Sequence, residues 1–148
     1  MEVEVMDKNS LYYIFLEILR IHHYEAHKKL EEINLYPGQP PLLFILNKSD
    51  GKSQRELAEI MHIKASTVNV MIKRMEKAGL LERRQDKKDA RISRAYISDE
   101  GRRVCKKSYY AMEEMEKKMF SSLTKDELVI FRRLLLQVKE NLYQEDEI

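Results

Sequence analysis

Hydrophobic positions recur at helical spacing along most of the chain, and the pattern is sharpest between Ser53 and Gly79. Ser53 and Glu56 predict a capping box, because a serine oxygen accepts an orphan N–H while the glutamate reaches back. A second helix is predicted from about Ala65. Its apolar residues recur at i, i+3, i+4 and i+7 and so share one buried stripe: Val68, Met71, Ile72 and Met75. Gly79 directly follows this helix, where a left-handed cap is expected.

The opposite face of this second helix is small, polar and basic. It consists of Ser66, Val70, Lys73 and Lys77, with Asn69 and Arg74 on its flanks. Two short helices joined by a tight break are typical of a helix-turn-helix, whose second helix enters the DNA major groove with its first residues. The helices alone are equally compatible with a helical hairpin in any small α domain.

Two short segments with β-compatible residues follow Gly79. They run from Leu80 to Arg84 and from Ile92 to Ile97, and a polar, basic loop from Gln85 to Arg91 joins them. Two strands with a charged loop directly behind a recognition helix predict a β-hairpin wing. The middle of the chain is therefore interpreted as a winged helix-turn-helix.

With these motifs the chain resembles the MarR family of bacterial transcriptional regulators. Apart from the helix pair, the resemblance is carried by Ser66-Thr67-Val68, Glu76-Lys77-Ala78-Gly79-Leu80, Asp89-x-Arg91 and Ile97-Ser98-x-x-Gly101. Two positions depart from the family pattern, since Ser98 stands where threonine is usual and Ala90 replaces the first wing-tip arginine. The resemblance implies a homodimeric regulator of repressor type that binds a palindromic operator in double-stranded DNA and is released by a small aromatic or phenolic effector.

Helical periodicity also predicts elements before the helix-turn-helix. A long first helix is expected from a cap at Ser10 to about Ile33, with Asn34 closing it in a left-handed conformation. A short helix, apolar nearly all round, is predicted from Leu42 to Leu46. Residues 47–52 are expected to form a turn.

Two further helices are predicted after the wing. One begins at Ser98, and the other begins at a capping box formed by Thr124 and Glu127. The buried side of the first is predicted to comprise Val104, Tyr109, Met112, Met115 and Met119. The terminal helices carry more apolar surface than one small winged domain covers, so we expect them to interleave with a second copy. The alternative is a monomer in which they fold back.

The predicted fold is mainly α with a small β-hairpin wing (α+β), in a single domain over residues 1–148. Residues 35–100 form the winged helix-turn-helix DNA-binding region. Residues 10–34 and 101–148 supply the N- and C-terminal dimerisation helices.

Charge is concentrated in the middle of the chain. The net charge is only +2, but the segment from Lys52 to Lys107 holds 16 Lys or Arg against 8 Asp or Glu, a net +8. The remainder is therefore at −6. A basic segment flanked by acidic ones is the pattern expected when only that segment meets DNA.

Composition and motifs weigh against other classes of protein. No run approaches the ~20 apolar residues of a membrane span, and the acidic N-terminus lacks a signal-peptide layout. A single cysteine favours a reducing cytoplasm. No phosphate-binding glycine loop, nucleophile elbow or metalloprotease helix is present, so we expect neither an enzyme nor a cofactor.

The DNA contacts can be assigned by residue chemistry. Short polar groups at the start of the recognition helix suit base edges or phosphates, and Val70 suits a thymine methyl. The helix cations suit phosphates. The resemblance implies that Arg91, oriented by Asp89, enters the minor groove. The predicted DNA-binding residues are Ser66, Thr67, Asn69, Val70, Lys73, Arg74, Lys77, Lys87, Lys88, Asp89 and Arg91.

Three other groups of side chains have two interpretations each. His22, His23 and His27 lie on the first helix, and the last two form an i, i+4 pair suited to a metal; exposed helix histidines are the simpler interpretation. Cys105 is either a redox sensor or an ordinary helix cysteine. The aromatic group is either an effector cleft or core: Tyr12, Tyr13, His22, Tyr24 and Tyr109.

A winged helix used only for protein–protein contact is the main alternative function. Such an adaptor is expected to present an apolar or acidic second-helix face. The face here carries Ser66, Lys73 and Lys77 and favours DNA.

Overall fold

The computed structural model describes residues 7–143, which form six helices and three short strands. They are α1 (Leu11–Glu31), α2 (Gln39–Lys48), β1 (Lys52–Ser53), α3 (Gln54–Met61), α4 (Ala65–Lys77), β2 (Leu81–Gln85), β3 (Ser93–Ile97), α5 (Asp99–Phe120) and α6 (Lys125–Tyr143). The predicted fold class is confirmed, because helices dominate and the strands form one small antiparallel sheet. The ends of the predicted lead-in and C-terminal region, residues 1–6 and 144–148, lie outside the described residues.

The chain separates into two compact units that divide between Met112 and Glu113. The first unit holds α1 to α4, the whole sheet and the first part of α5. The second holds the rest of α5 and α6. A single domain over residues 1–148 stays a prediction.

The sheet has one strand more than the predicted hairpin. Its order is β1-β3-β2, with β3 antiparallel to both neighbours. β1 pairs Lys52 with Ala95 and Ser53 with Arg94. The turn expected over residues 47–52 was therefore wrong at both ends, because α2 runs to Lys48 and β1 begins at Lys52. A strand of two polar residues carries no alternation to detect, and only its pairing with β3 defines it.

The core of the first unit is formed mainly by α2, the helix-turn-helix and the sheet. Its fully buried residues come from the loop before α2 and from α2, α3 and α4: Leu35, Leu42, Leu43, Leu46, Leu57, Val68 and Met75. This core fixes the recognition helix and the wing on one scaffold.

The caps predicted for α1 are present. Tyr13 N donates to Ser10 Oγ at 3.2 Å, and Asn34 has a φ of +56°. The helix ends at Glu31, two residues before the predicted end. The second helix is longer than the predicted Leu42 to Leu46, because α2 begins at Gln39 and ends at Lys48. Pro40 and Pro41 lie in its first turn, as their missing N–H groups predict.

The terminal helices leave apolar side chains exposed within the described chain. In α1 only Leu30 is buried, while Leu11 is 87% exposed, and α6 has no buried residue. The predicted buried side of α5 was right for Val104 and Met115 but wrong for Tyr109, Met112 and Met119, which are exposed. Helical spacing identifies an apolar side but not the surface that covers it.

Over residues 7–143 no helix combines the length and hydrophobicity needed to cross a membrane.

Candidate nucleic-acid interface

The first helix of the helix-turn-helix is anchored at its start by the predicted capping box. Glu56 N donates to Ser53 Oγ at 3.2 Å, and Ser53 N donates to Glu56 Oε2 at 2.8 Å. Hydrogen bonds to the carboxylate from the backbone and then the side chain of Ser53, assisted by Arg94, hold the pKa of Glu56 below its usual range. The carboxylate is therefore charged at neutral pH and available to a cation from the sheet.

The break between α3 and α4 is tight because His62 takes a left-handed conformation, with a φ of +52°. Ile63 N then donates to Ala58 O at 3.1 Å. Gln54 adds a contact that sequence reasoning missed, since its Nε2 donates to Ala65 O at 2.8 Å. This bond fixes the start of α4 against α3.

The recognition helix α4 buries the predicted stripe and exposes the predicted outer face. Val68, Ile72 and Met75 are buried, and Met71 is half-buried against the same core. Of the predicted DNA-binding residues on this helix only Asn69 is half-buried; the exposed ones are Ser66, Thr67, Val70, Lys73, Arg74 and Lys77.

The outer cations of α4 are unengaged within residues 7–143. Lys73, Arg74 and Lys77 take part in no salt bridge there, and Ser66 and Thr67 make no side-chain hydrogen bond. Three uncompensated cations beside small polar groups form a surface suited to a polyanion.

The end of α4 is locked to the start of α5. Gly79 has a φ of +72°, as predicted for the cap, and Leu80 N donates to Met75 O at 2.9 Å. Ser98 Oγ donates to Gly79 O at 2.6 Å. A Cβ at Gly101 would collide with the carbonyl oxygen of Leu80, so this close approach requires glycine.

The wing strands lie within a residue of their predicted positions, and the wing tip holds the predicted arginine. Arg91 Nε lies 3.1 Å from Asp89 Oδ1, and its Nη2 lies 3.3 Å from Oδ2. The Arg91 backbone N–H also donates to Asp89 Oδ1 at 3.0 Å. The guanidinium, and then the backbone hydrogen bond, hold the pKa of Asp89 below its usual range. Arg91 is 90% exposed, so it is oriented yet open to solvent.

A second ion pair at the base of the wing tip was not predicted. Arg94 on β3 donates through Nε to Asp86 Oδ2 and through Nη1 to Glu56 Oε2, the latter at 2.9 Å. The Arg94 guanidinium, followed by two backbone N–H groups, lowers the pKa of Asp86 to about 2. Asp86 and Arg94 flank the hairpin loop on opposite sides, and this placement was the sequence signal for the pair. The signal identifies partners only when the strand register is known.

The aromatic residues predicted as an effector cleft lie on two elements of the first unit. Tyr12, Tyr24 and Tyr109 are exposed, as is His22, whereas Tyr13 is half-buried. Tyr109 packs edge-on against Phe44 of α2, with ring centroids 5.6 Å apart. This contact gives Tyr109 a neighbour on α2, and the effector assignment stays a prediction.

The histidines of α1 and Cys105 are the candidate sites for sensing a metal and an oxidant. His27 Nδ1 lies 3.4 Å from Glu31 Oε1, and residues 7–143 contain no group of three or more His, Cys, Asp or Glu side chains placed to hold a metal. Cys105 is buried, and burial raises the pKa of its thiol, an effect that Arg102 only partly offsets. The reactive thiolate is therefore disfavoured.

Curated relatives match most of the chain. It is 32% identical over 119 residues to the uncharacterized HTH-type transcriptional regulator YsmB of Bacillus subtilis, covering 78% of this chain and 81% of that one. It is 28% identical over 105 residues to the HTH-type transcriptional repressor MdtR of Bacillus subtilis, covering 71% and 68%.

Solved structures share the fold. The MepR–DNA complex of S. aureus matches with a TM-score of 0.78 and 22% identity, covering 92% of this chain and 99% of that one. PcaV of Streptomyces coelicolor with its natural ligand also has a TM-score of 0.78, with 23% identity and coverage of 94% and 98%. The family model described as MarR matches residues 35–93. The chain is thus a transcriptional regulator that belongs to the MarR family.

Proposed function

We propose that this protein is a homodimeric repressor that binds a palindromic DNA operator, with α4 in the major groove and Arg91 in the minor groove. One observation carries the proposal: the recognition helix presents uncompensated cations and small polar groups on the same scaffold as an exposed, oriented arginine. The MepR structure is a complex with DNA, and MdtR is a repressor, which supports the same role here.

The proposed DNA contacts divide into those that specify and those that position. Ser66, Thr67, Asn69 and Val70 face base edges from the first turns of α4. The cations of α4 and the wing neutralise phosphates: Lys73, Arg74, Lys77, Lys87 and Lys88. Asp89 belongs to the interface because it orients Arg91.

Dimerisation rests on the exposed apolar side chains of α1 and α6. Leu11, Ile14 and Phe15 are exposed on α1, and Leu134, Leu135 and Val138 are exposed on α6. Contiguous exposed apolar surface on a small protein marks an interface. A second copy also supplies the second recognition helix and wing, which the other half of a palindrome requires.

The proposed effector is a small aromatic or phenolic molecule that contacts Tyr12, Tyr13, His22, Tyr24 and Tyr109. PcaV carries its natural ligand on the same fold, which supports a ligand here. The exposed rings of α1 and α5 provide aromatic surface for stacking. The role in DNA binding also implies a cytoplasmic, non-catalytic protein.

The adaptor alternative is less well supported. A protein-binding face would be apolar or acidic, whereas the outer face of α4 exposes Lys73, Arg74 and Lys77 around one apolar residue, Val70.

The test is selection of duplexes from a random-sequence pool with the purified protein, followed by a salt titration of the winning duplex. We expect a palindrome to be enriched. If a dimer neutralises about eight phosphates, log K falls with log salt at a slope of roughly −7. Equal affinity for all duplexes, or binding that ignores salt, would support the adaptor instead. Sedimentation equilibrium tests the dimer, which a clean 17.7 kDa species would refute.

A further inference from the structure

A chain of ion pairs and hydrogen bonds connects α3 to the tip of the wing. At its α3 end, Arg94 Nη1 donates to Glu56 Oε2 at 2.9 Å and to Gly51 O at 3.0 Å. The same Glu56 oxygen closes the capping box of α3. The pairing of β1 with β3 places Ser53 opposite Arg94, which brings the two elements together. One guanidinium therefore ties β3 to the start of the helix-turn-helix.

The other side of the Arg94 guanidinium engages the wing loop. Its Nε donates to Asp86 Oδ2, and Asp86 Oδ1 accepts the backbone N–H groups of Lys88 at 2.8 Å and Asp89 at 3.0 Å. The Arg94 and Asp86 side chains are only 28% and 14% exposed, so the contact is sheltered from solvent. Asp86 therefore holds the backbone of the wing tip through Oδ1, and Arg94 holds Asp86 through Oδ2.

The last link is the exposed pair at the tip. Asp89, whose backbone is fixed by Asp86, orients the guanidinium of Arg91. The order of contacts is therefore Glu56, Arg94, Asp86, Asp89 and Arg91, running from the helix-turn-helix to the outermost cation.

We propose that Arg94 and Asp86 are positioning residues that set the placement of the wing arginine relative to the recognition helix. This inference rests on the proposed DNA-binding function and deepens it. Both groups act through Asp89 and Arg91, and neither contacts DNA.

The first experiment uses the free protein, so it is independent of DNA. Backbone order parameters of Lys88 and Asp89 are measured by nuclear magnetic resonance in the parent, Asp86→Asn and Arg94→Gln. We expect values near those of the rigid strands in the parent, about 0.85, and lower values in both variants. A tip that is as ordered in the variants as in the parent would overturn the inference.

Arg94→Lys is the conservative variant in this series. It keeps the charge but replaces the planar fork, which reaches Asp86, Glu56 and Gly51 together, with one flexible ammonium. We expect partial recovery of tip order relative to Arg94→Gln. Thermal unfolding of each variant shows whether the fold is intact.

The second experiment exploits the sign of an electrostatic effect. Asp86→Asn removes a negative charge near DNA, so simple electrostatics predicts tighter binding, whereas lost positioning predicts weaker binding. Glu82→Gln is the matched control, because Glu82 is an exposed carboxylate on the same hairpin that pairs with Arg84. On the duplex selected by the parent, we expect Asp86→Asn to bind roughly threefold or more weakly. Glu82→Gln should bind as tightly as the parent or tighter.

A double-mutant cycle separates positioning from general damage. In the Arg91→Ala background, Asp86→Asn should cost much less than in the parent, because the cation it positions is already gone. Equal losses in both backgrounds would overturn the inference while leaving DNA binding intact. If the parent itself selects no duplex, the proposed function fails, and the order parameters of the free tip still decide the positioning inference.

Discussion

The outer face of α4 and the tip of the wing both offer cations to DNA, but they hold them differently. Lys73 and Lys77 on α4 are exposed and take part in no ion pair within residues 7–143. Arg91 at the tip is also exposed, yet Asp89 holds its guanidinium through two of its nitrogens. The difference is therefore one of orientation and not of accessibility.

This difference has a consequence for binding. Immobilising a long, mobile side chain at an interface costs about 0.5–1.5 kcal/mol, which a lysine of α4 must lose on contact. Arg91 is already ordered, so less is lost when it enters a groove. Exposed ion pairs contribute little to stability, so the Asp89–Arg91 pair is better explained by preorganisation than by folding.

The largest expected effect comes from placing a negative charge on the outer face of α4. Val70→Glu places a carboxylate among phosphates, where like charges cost several kcal/mol, so specific binding should be abolished. Val70 is 48% exposed, and the fold should be retained. Electrophoretic mobility shift with the selected duplex measures the loss, and Val70→Gln is the size-matched neutral control. Strong binding by Val70→Glu would place α4 away from the DNA.

Arg91→Ala is expected to have the next largest effect. It should weaken specific binding by about 1–3 kcal/mol, the scale of a good base contact, because an oriented cation is lost. Fluorescence anisotropy with the selected duplex measures the change. A loss no larger than that of Lys87→Ala would remove the distinction between oriented and mobile cations.

Much of this interface could be predicted from sequence because its signals are local. The Asp89–Arg91 pair spans two residues, and the stripe containing Val68 and Met75 follows one helical period. The Arg94–Glu56 contact joins residues 38 positions apart and depends on a strand that only tertiary pairing creates. The same limit explains the errors on α5, where Met112 and Met119 fit the period but not the burial.

Asp89→Ala keeps the Arg91 cation but removes the carboxylate that orients it, so it separates charge from orientation. We expect part of the Arg91→Ala loss, since the guanidinium becomes mobile. Removal of a carboxylate near phosphates acts in the opposite direction, and the sign of the net change decides between the two effects. Tighter binding than the parent, measured by anisotropy, would mean that charge outweighs orientation.

Lys87→Ala is expected to have the smallest effect. Lys87 is an exposed wing lysine without an oriented partner, so its loss should reduce affinity evenly across sequences. The salt slope should fall in magnitude by about 1 for each lysine lost. Lys88→Ala provides a neighbouring comparison. If the affinity lost in either variant depended on the flanking sequence, that lysine would be reading a groove.

The most direct test of the central claim compares flanking sequences around one selected core. Narrow A/T-rich minor grooves concentrate negative potential and favour an inserted arginine. Affinities of the parent, Arg91→Ala and Lys87→Ala are measured on duplexes with A/T-rich and G/C-rich flanks. The account predicts a larger Arg91→Ala loss on A/T-rich flanks and equal Lys87→Ala losses on both. Equal Arg91→Ala losses on the two duplexes would contradict insertion of the wing arginine into the minor groove.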